Sequence, residues 1–117
     1  MHELSVSAAV VDTAVRHAGG RPVAVVNLRV GHMRQVVPDS LHFYFGLVAR
    51  DTVCSGARLE VEVIPARLRC EGCDAEWTAE AAAFRCPSCG GGSVLVLTGE
   101  ELEVESIELE VEDACIA

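Results

Sequence analysis

Apolar positions in the first eighteen residues recur at offsets of four, three, four and three through Leu4, Ala8, Val11, Val15 and Ala18, the spacing that lines one stripe of an α-helix. This predicts a helix from Leu4 that buries that stripe and is ended by Gly19-Gly20 and Pro22. The period then changes to two. Val23 to Val30 is rich in β-branched side chains, with Val26, Leu28 and Val30 on one face and Val25, Asn27 and Arg29 on the other, a half-buried strand closed by Gly31. An irregular stretch from His32 to Val37 leads to Pro38-Asp39-Ser40. There, proline suits a first helical turn and a carboxylate meets the positive end of the helix dipole. Leu41, Tyr44, Phe45 and Val48 then line a second helical face. Ser55-Gly56 marks a turn, and Ala57 to Ile64 sets Leu59, Val61 and Val63 against Glu60 and Glu62 as a second strand.

Pro65 stops that ladder, because it has no N–H to donate. Alternation resumes after Gly99, but Leu102 and Val104 fall on one parity and Ile107, Leu109 and Val111 on the other. A bulge or bend near Glu105-Ser106 would keep one face buried. The pattern predicts a helix-strand-helix-strand domain, residues 1–65 with 100–117, completed by a strand from the tail, with a separate module of residues 66–99 inserted. A chain of 117 residues has room for one such core and a small module.

Charge narrows the function. The chain carries 9 basic and 18 acidic side chains, and every basic one is an arginine. Without lysine there is no phosphate-binding P-loop and no Schiff-base nucleophile. Residues 100–117 hold only acids, so nucleic acid meets a repulsive surface. No apolar run approaches the ~18 residues of a membrane span, and Met1-His2-Glu3 lacks the basic start of a secretory signal, which predicts a cytoplasmic protein without membrane partners. Four scattered histidines form neither an H-E-x-x-H helix nor a Ser-His-Asp arrangement, so a metal-dependent hydrolase is a weak reading.

The cysteines are the first positive clue. Cys70-Glu71-Gly72-Cys73 and Cys86-Pro87-Ser88-Cys89 are two C-x-x-C pairs. Two residues between ligands let a tight turn aim both sulfurs at one ion, with Gly72 and Gly90 supplying backbone freedom. Paired in this way, outside a disulfide-dense secreted scaffold, they predict a structural zinc tetrathiolate rather than a redox dithiol. Such a site is filled and takes no part in catalysis. Metal binding must supply most of the module's folding free energy, on the order of 10 kcal/mol. Arg69 and Arg85 each precede a pair, where they either offset its negative charge or face solvent. Trp77 and Phe84 lie between the pairs, and Cys54 and Cys115 take no role.

The second clue is the N-terminus. A bulky second residue keeps the initiator methionine in place, so the Met1 amine stays one residue from the His2 imidazole. Amine, imidazole and a backbone amide nitrogen can close fused chelate rings suited to Ni(II) or Cu(II), and a helix starting near Leu4 would hold them against the domain.

Met1-His2-Glu3-Leu4, Gly31, Pro38-Asp39-Ser40-Leu41, Gly56-Ala57, Pro65-Ala66-Arg67 and the paired cysteines together resemble the HypA/HybF nickel-insertion proteins of nickel-iron hydrogenase maturation. The resemblance spans nearly the whole chain. It implies an α+β fold in which a three-stranded antiparallel sheet carries two helices on one side, with an inserted four-cysteine zinc ribbon. It implies Ni(II) held by Met1, His2 and the Glu3 backbone amide, with Asp39 as an oxygen ligand, and Zn(II) held by Cys70, Cys73, Cys86 and Cys89. It further implies a metallochaperone rather than an enzyme, working with a HypB-type GTPase and delivering nickel to a hydrogenase large-subunit precursor. Urease accessory proteins are further candidate partners, and a homodimer is left open. The competing reading is a zinc-ribbon adaptor with an inert N-terminus. His32 is an accessory ligand or a surface loop residue, the latter preferred. His42 shares the helix face of Asp39 at the core edge, and His17 complements the dipole of the first helix. Glu103, Glu105, Glu108, Glu110 and Glu112 read as the wet face of a strand.

Overall fold

The computed structural model describes residues 3–79 and 85–110. Along the chain these form α1 (Glu3–Ala18), β1 (Val23–Gly31), a 3-10 turn (His32–Arg34), α2 (Pro38–Val48), β2 (Arg58–Ile64), β3 (Ala66–Cys70), β4 (Glu76–Ala79), β5 (Val94–Thr98) and β6 (Leu102–Leu109). The strands make two three-stranded sheets, ordered β2-β1-β6 and β4-β3-β5. With antiparallel sheets and two helices the class is α+β. Two compact units emerge, one of Met1–Leu28, Val36–Val61 and Glu103–Ala117, the other of Arg29–Gln35 and Glu62–Leu102. Among the described residues no helix is long and apolar enough to cross a membrane.

In the first unit α1 begins and ends where the pattern predicted, but it buries a different stripe. Val6, Ser7, Val10, Val11, Ala14 and Ala18 are buried, whereas Leu4 is 49% exposed and Val15 36%. The reason is Ser7, a polar residue that an apolar template passes over. Its hydroxyl donates to the Leu41 carbonyl of α2 at 3.4 Å, which offsets the cost of burying it, and its small side chain lets the two helices approach. Leu41 and Phe45 are the buried residues of α2. That helix starts without a side-chain cap, Pro38 occupying its first turn.

Val26 and Leu28 of β1 are fully buried as expected. Asn27 on the wetter side donates to Ser106 Oγ at 3.0 Å and Glu108 Oε2 at 3.2 Å, tying β1 to β6. The expected parity change in β6 is present. Leu102, Val104, Ile107 and Leu109 are half-buried, while the adjacent Glu105 and Ser106 both face solvent. Val111 lies outside the described residues.

In the second unit β3 is the central strand. Its alternation starts upstream of its hydrogen bonds: Ile64, Ala66, Leu68 and Cys70 are all buried, and Val63 is 51% exposed. Ile64 thus follows the parity of β3 across Pro65, which reverses the inward face predicted for the end of β2. Ala66, Leu68 and Ala79 form a core packed by Met33, Trp77, Val94 and Val96.

A seam of bare backbone borders that core. Gly31 N–H donates to the Glu101 carbonyl at 2.7 Å and Met33 N–H to the Gly99 carbonyl at 2.9 Å, while Arg34 Nε donates to the Glu100 carbonyl at 2.8 Å. A Cβ on Gly31 would sit 1.9 Å from the Gly99 oxygen, and Gly99, at φ 114°, has its own missing Cβ 2.7 Å from Ala66 Cα. Only glycine permits these approaches. The stretch predicted to be irregular after Gly31 is therefore ordered as a 3-10 turn, held by this seam and by Met33.

Candidate metal centre

β3 ends on Cys70 and runs straight into the first cysteine knuckle. Cys70 N–H donates to the Ala75 carbonyl at 2.8 Å, and Asp74 N–H to the Cys70 carbonyl at 2.9 Å. The second knuckle repeats this: Cys86 N–H donates to the Gly91 carbonyl at 3.0 Å, and Gly90 N–H to the Cys86 carbonyl at 2.8 Å. The residue four after each leading cysteine turns left-handed, Asp74 at φ 61° and Gly90 at φ 72°. Gly90 thus plays the part expected of it. In the first knuckle Asp74, and not Gly72, supplies the left-handed residue, since aspartate tolerates that region better than most side chains. Gly91 is closely approached as well, since a Cβ there would sit a tight 3.2 Å from Cys89 Sγ.

The two knuckles bring four sulfurs together. All lie within 4.8 Å of one another, with Cys70 to Cys89 at 3.6 Å and Cys73 to Cys86 at 3.5 Å. An ion with four bonds of ~2.3 Å to sulfur needs sulfurs roughly 3.8 Å apart, so the donor set fits a tetrahedral metal. The leading cysteines Cys70 and Cys86 are buried, and Cys73 and Cys89 face outward. Backbone donors converge on the sulfurs: Gly72 N–H on Cys70 at 3.3 Å, Ser88 and Cys89 N–H on Cys86 at 3.4 Å, and Gly91 N–H on Cys89 at 3.4 Å. Such donors stabilise thiolate over thiol.

Packing four thiols so closely splits their acidities. Cys86 is pulled down to about 6, first by the Cys89 N–H, against the cost of burial, and then by the Ser88 N–H. Cys73 is lowered by the Ala75 N–H, but sharing protons with Cys86, together with burial, outweighs this and pushes it up to about 12. Cys89 also ends above its ordinary range. There the Gly91 N–H lowers it and hydrogen bonds shared with Cys70 and Cys86 raise it. A dication supplies the positive charge that lets all four ionise together. Of the two arginines beside the knuckles, Arg85 donates to the Gly90 carbonyl at 3.4 Å. Arg69 has a buried Nε that finds no acceptor among the described residues.

The expected nickel ligands stand differently. Met1 and His2 lie outside the described residues, as do Phe84 and Cys115. Glu3 is the half-buried first residue of α1, and Asp39 is exposed in the first turn of α2. Among the described residues, the four cysteines are the one group of three or more metal-competent side chains. His32 is exposed in the 3-10 turn. His42 is exposed as well, not at the core edge, because α2 turns Leu41 and Phe45 inward. His17 Nδ1 donates to the Thr13 carbonyl at 2.8 Å in the last turn of α1. Burial pushes the Cys54 thiol up, a hydrogen bond with Thr52 partly opposing it.

Comparison with known proteins agrees over the same span. A family model described as "Hydrogenase/urease nickel incorporation, metallochaperone, hypA" matches residues 1–109. The hydrogenase maturation factor HypA of Geotalea uraniireducens is 46% identical over 110 residues, covering 94% of this chain and all of that protein. HypA of Streptomyces avermitilis is 44% identical over 115 residues, covering 94% of this chain and 88% of that one. The solution structure of the Ni metallochaperone HypA from Helicobacter pylori superposes with a TM-score of 0.69 at 22% identity, covering 96% of this chain and 100% of the other, and shows the same fold.

Proposed function

The chain belongs to the HypA family of hydrogenase/urease nickel-incorporation metallochaperones, which are maturation factors and not enzymes, and from that premise we propose that it carries Ni(II) to the precursor of a nickel-iron hydrogenase large subunit. In this reading the Met1 amine, the His2 imidazole and the Glu3 backbone amide bind the cargo ion, and Asp39 adds an oxygen. Nitrogen donors of this kind favour Ni(II) over harder divalent ions. The four cysteines hold Zn(II), whose role is structural because no coordination position remains open. A HypB-type GTPase supplies the energy for transfer, since the chain has no phosphate-binding lysine of its own. Urease accessory proteins are a second class of recipient, and the site of action is the cytoplasm.

The observation that carries this reading is a complete four-sulfur centre in a chain that matches a nickel-incorporation family along residues 1–109. A closed cysteine centre gives the family's cargo no place to exchange, so the cargo ion needs ligands elsewhere, and His2 and Asp39 are offered by the chain outside it. Equilibrium dialysis of the zinc-loaded protein against Ni(II), followed by elemental analysis, tests the division. One nickel per chain with zinc retained supports it. Nickel bound only as zinc leaves places the cargo on the cysteines and overturns it.

A further inference from the structure

The outer face of the β4-β3-β5 sheet carries Glu76 and Thr78 on β4, Arg67 and Arg69 on β3, and Leu95 and Leu97 on β5. Leu95 is 40% exposed and Leu97 39%, because the alternate residues Val94 and Val96 pack the core on the other side. The two arginines are provided for unequally. Arg67 Nη1 donates to Thr78 Oγ1 at 2.9 Å, and its Nη2 pairs with the Glu76 carboxylate at 3.7 Å. Arg69 stands opposite both Glu76 and Leu95 in the register, yet the Glu76 carboxylate is taken by Arg67. Glu71, two residues after Arg69, accepts from Ser93 Oγ at 3.3 Å. Among the described residues, Arg69 Nε is the one buried side-chain polar atom without a hydrogen bond.

The face is therefore short of one carboxylate. Two guanidinium groups share a single acid, in a chain with 18 acidic side chains against 9 basic ones. A buried donor left without an acceptor is costly and rare in folded proteins. The cysteine centre does not explain this one, because successive side chains of a strand point to opposite faces and Cys70, which follows Arg69, is buried on the inner one. Arginine meets a carboxylate through two parallel N–H bonds. Apolar neighbours that keep water away strengthen such a pair, and Leu95 and Leu97 stand beside Arg69 for that purpose.

We propose that the outer face of the β4-β3-β5 sheet docks a segment of a partner protein that sets an aspartate or glutamate against Arg69 and an apolar side chain against Leu95 and Leu97. The incoming carboxylate supplies the acceptor that the chain withholds from Arg69, and the apolar side chain covers the two leucines. Arginine anchors are enriched among the residues that dominate binding energy at protein interfaces. The proposal does not depend on where nickel is held, since none of these residues is a proposed nickel ligand.

Panning a random peptide library on the immobilised, zinc-loaded full chain tests this, after removal of every peptide that binds a double variant carrying Arg69→Gln and Leu95→Ser. Neither residue belongs to the buried core, so both variants should fold, and zinc content and circular dichroism check that they do. Surviving peptides are expected to carry Asp or Glu beside Leu, Ile, Val or Phe. In fluorescence anisotropy the tightest of them should bind Arg69→Gln and Leu95→Ser each at least tenfold more weakly than wild type. Replacing its acid by the matching amide should cost as much on wild type but little on Arg69→Gln, because the two changes break the same contact. The proposal is overturned if no peptide survives the subtraction, or if the survivors lack a carboxylate, as a plain apolar contact or a second copy of the chain would select. Losses that add instead of overlapping overturn it too. Loss of zinc from Arg69→Gln would assign that residue to the cysteine centre and overturn it as well.

Discussion

The cysteine centre and the exposed Asp39 proposed for nickel differ in how closely backbone structure surrounds the donor atoms. Around the cysteines, two knuckles with matching hydrogen bonds hold four sulfurs within 4.8 Å of one another, and backbone N–H groups already point at sulfur. The knuckle backbone thus sets the geometry in which the four sulfurs surround an ion, and the ion in turn supplies most of the module's folding free energy. The nickel reading rests instead on the residues ahead of α1 and on Asp39, an exposed carboxylate with no described partner. A site that must keep its ion closes all its coordination positions with protein ligands. A site that must surrender its ion gains from open, replaceable ligands, because a recipient can compete for them one at a time.

That contrast is broken most severely at the cysteines. Replacing any one of Cys70, Cys73, Cys86 or Cys89 by serine should release zinc and unfold residues 69–90, since metal binding in comparable modules is worth on the order of 10 kcal/mol. Protection of α1 and α2 from hydrogen exchange should persist. Full zinc occupancy and unchanged protection in all four variants would contradict the tetrathiolate.

Gly31→Ala should come next. Its Cβ would land 1.9 Å from the Gly99 oxygen, and backbone on both sides must move, at a cost of roughly 3–5 kcal/mol. Urea unfolding of the zinc-loaded protein, followed by Trp77 fluorescence, reads this. A shift below about 1 kcal/mol would mean the seam has slack.

Much of the fold was legible because it is locally encoded. Period-four and period-two patterns located both helices, β1, β2 and the parity change at Glu105-Ser106, and the C-x-x-C spacing pointed to the four-sulfur centre. Non-local features were not legible. Ser7 is buried because the Leu41 carbonyl waits 34 residues away, and nothing nearby announces it. Gly31 was read as the end of a strand, and its partner across the seam, Gly99, as the end of the cysteine module, since their contact spans most of the chain. Asp74 was missed for a different reason: glycine draws attention at left-handed positions, and its equivalence to Gly90 shows only when the two knuckles are aligned on their leading cysteines. The terminal Met1-His2 pair, singled out by its chemistry, lies outside the described residues.

The account stands or falls on the terminus. Calorimetric titration with Ni(II) should be run on the zinc-loaded wild type, on His2→Ala, and on a chain extended by a short peptide ahead of Met1. The extension keeps every side chain but turns the amine into an amide with no available lone pair. Both variants should lose tight nickel binding with zinc content and fold unchanged, whereas Asp39→Ala should weaken it measurably without abolishing it. An extended chain that still binds one nickel at wild-type affinity would show that the Met1 amine is no ligand, and the proposed cargo site would be wrong.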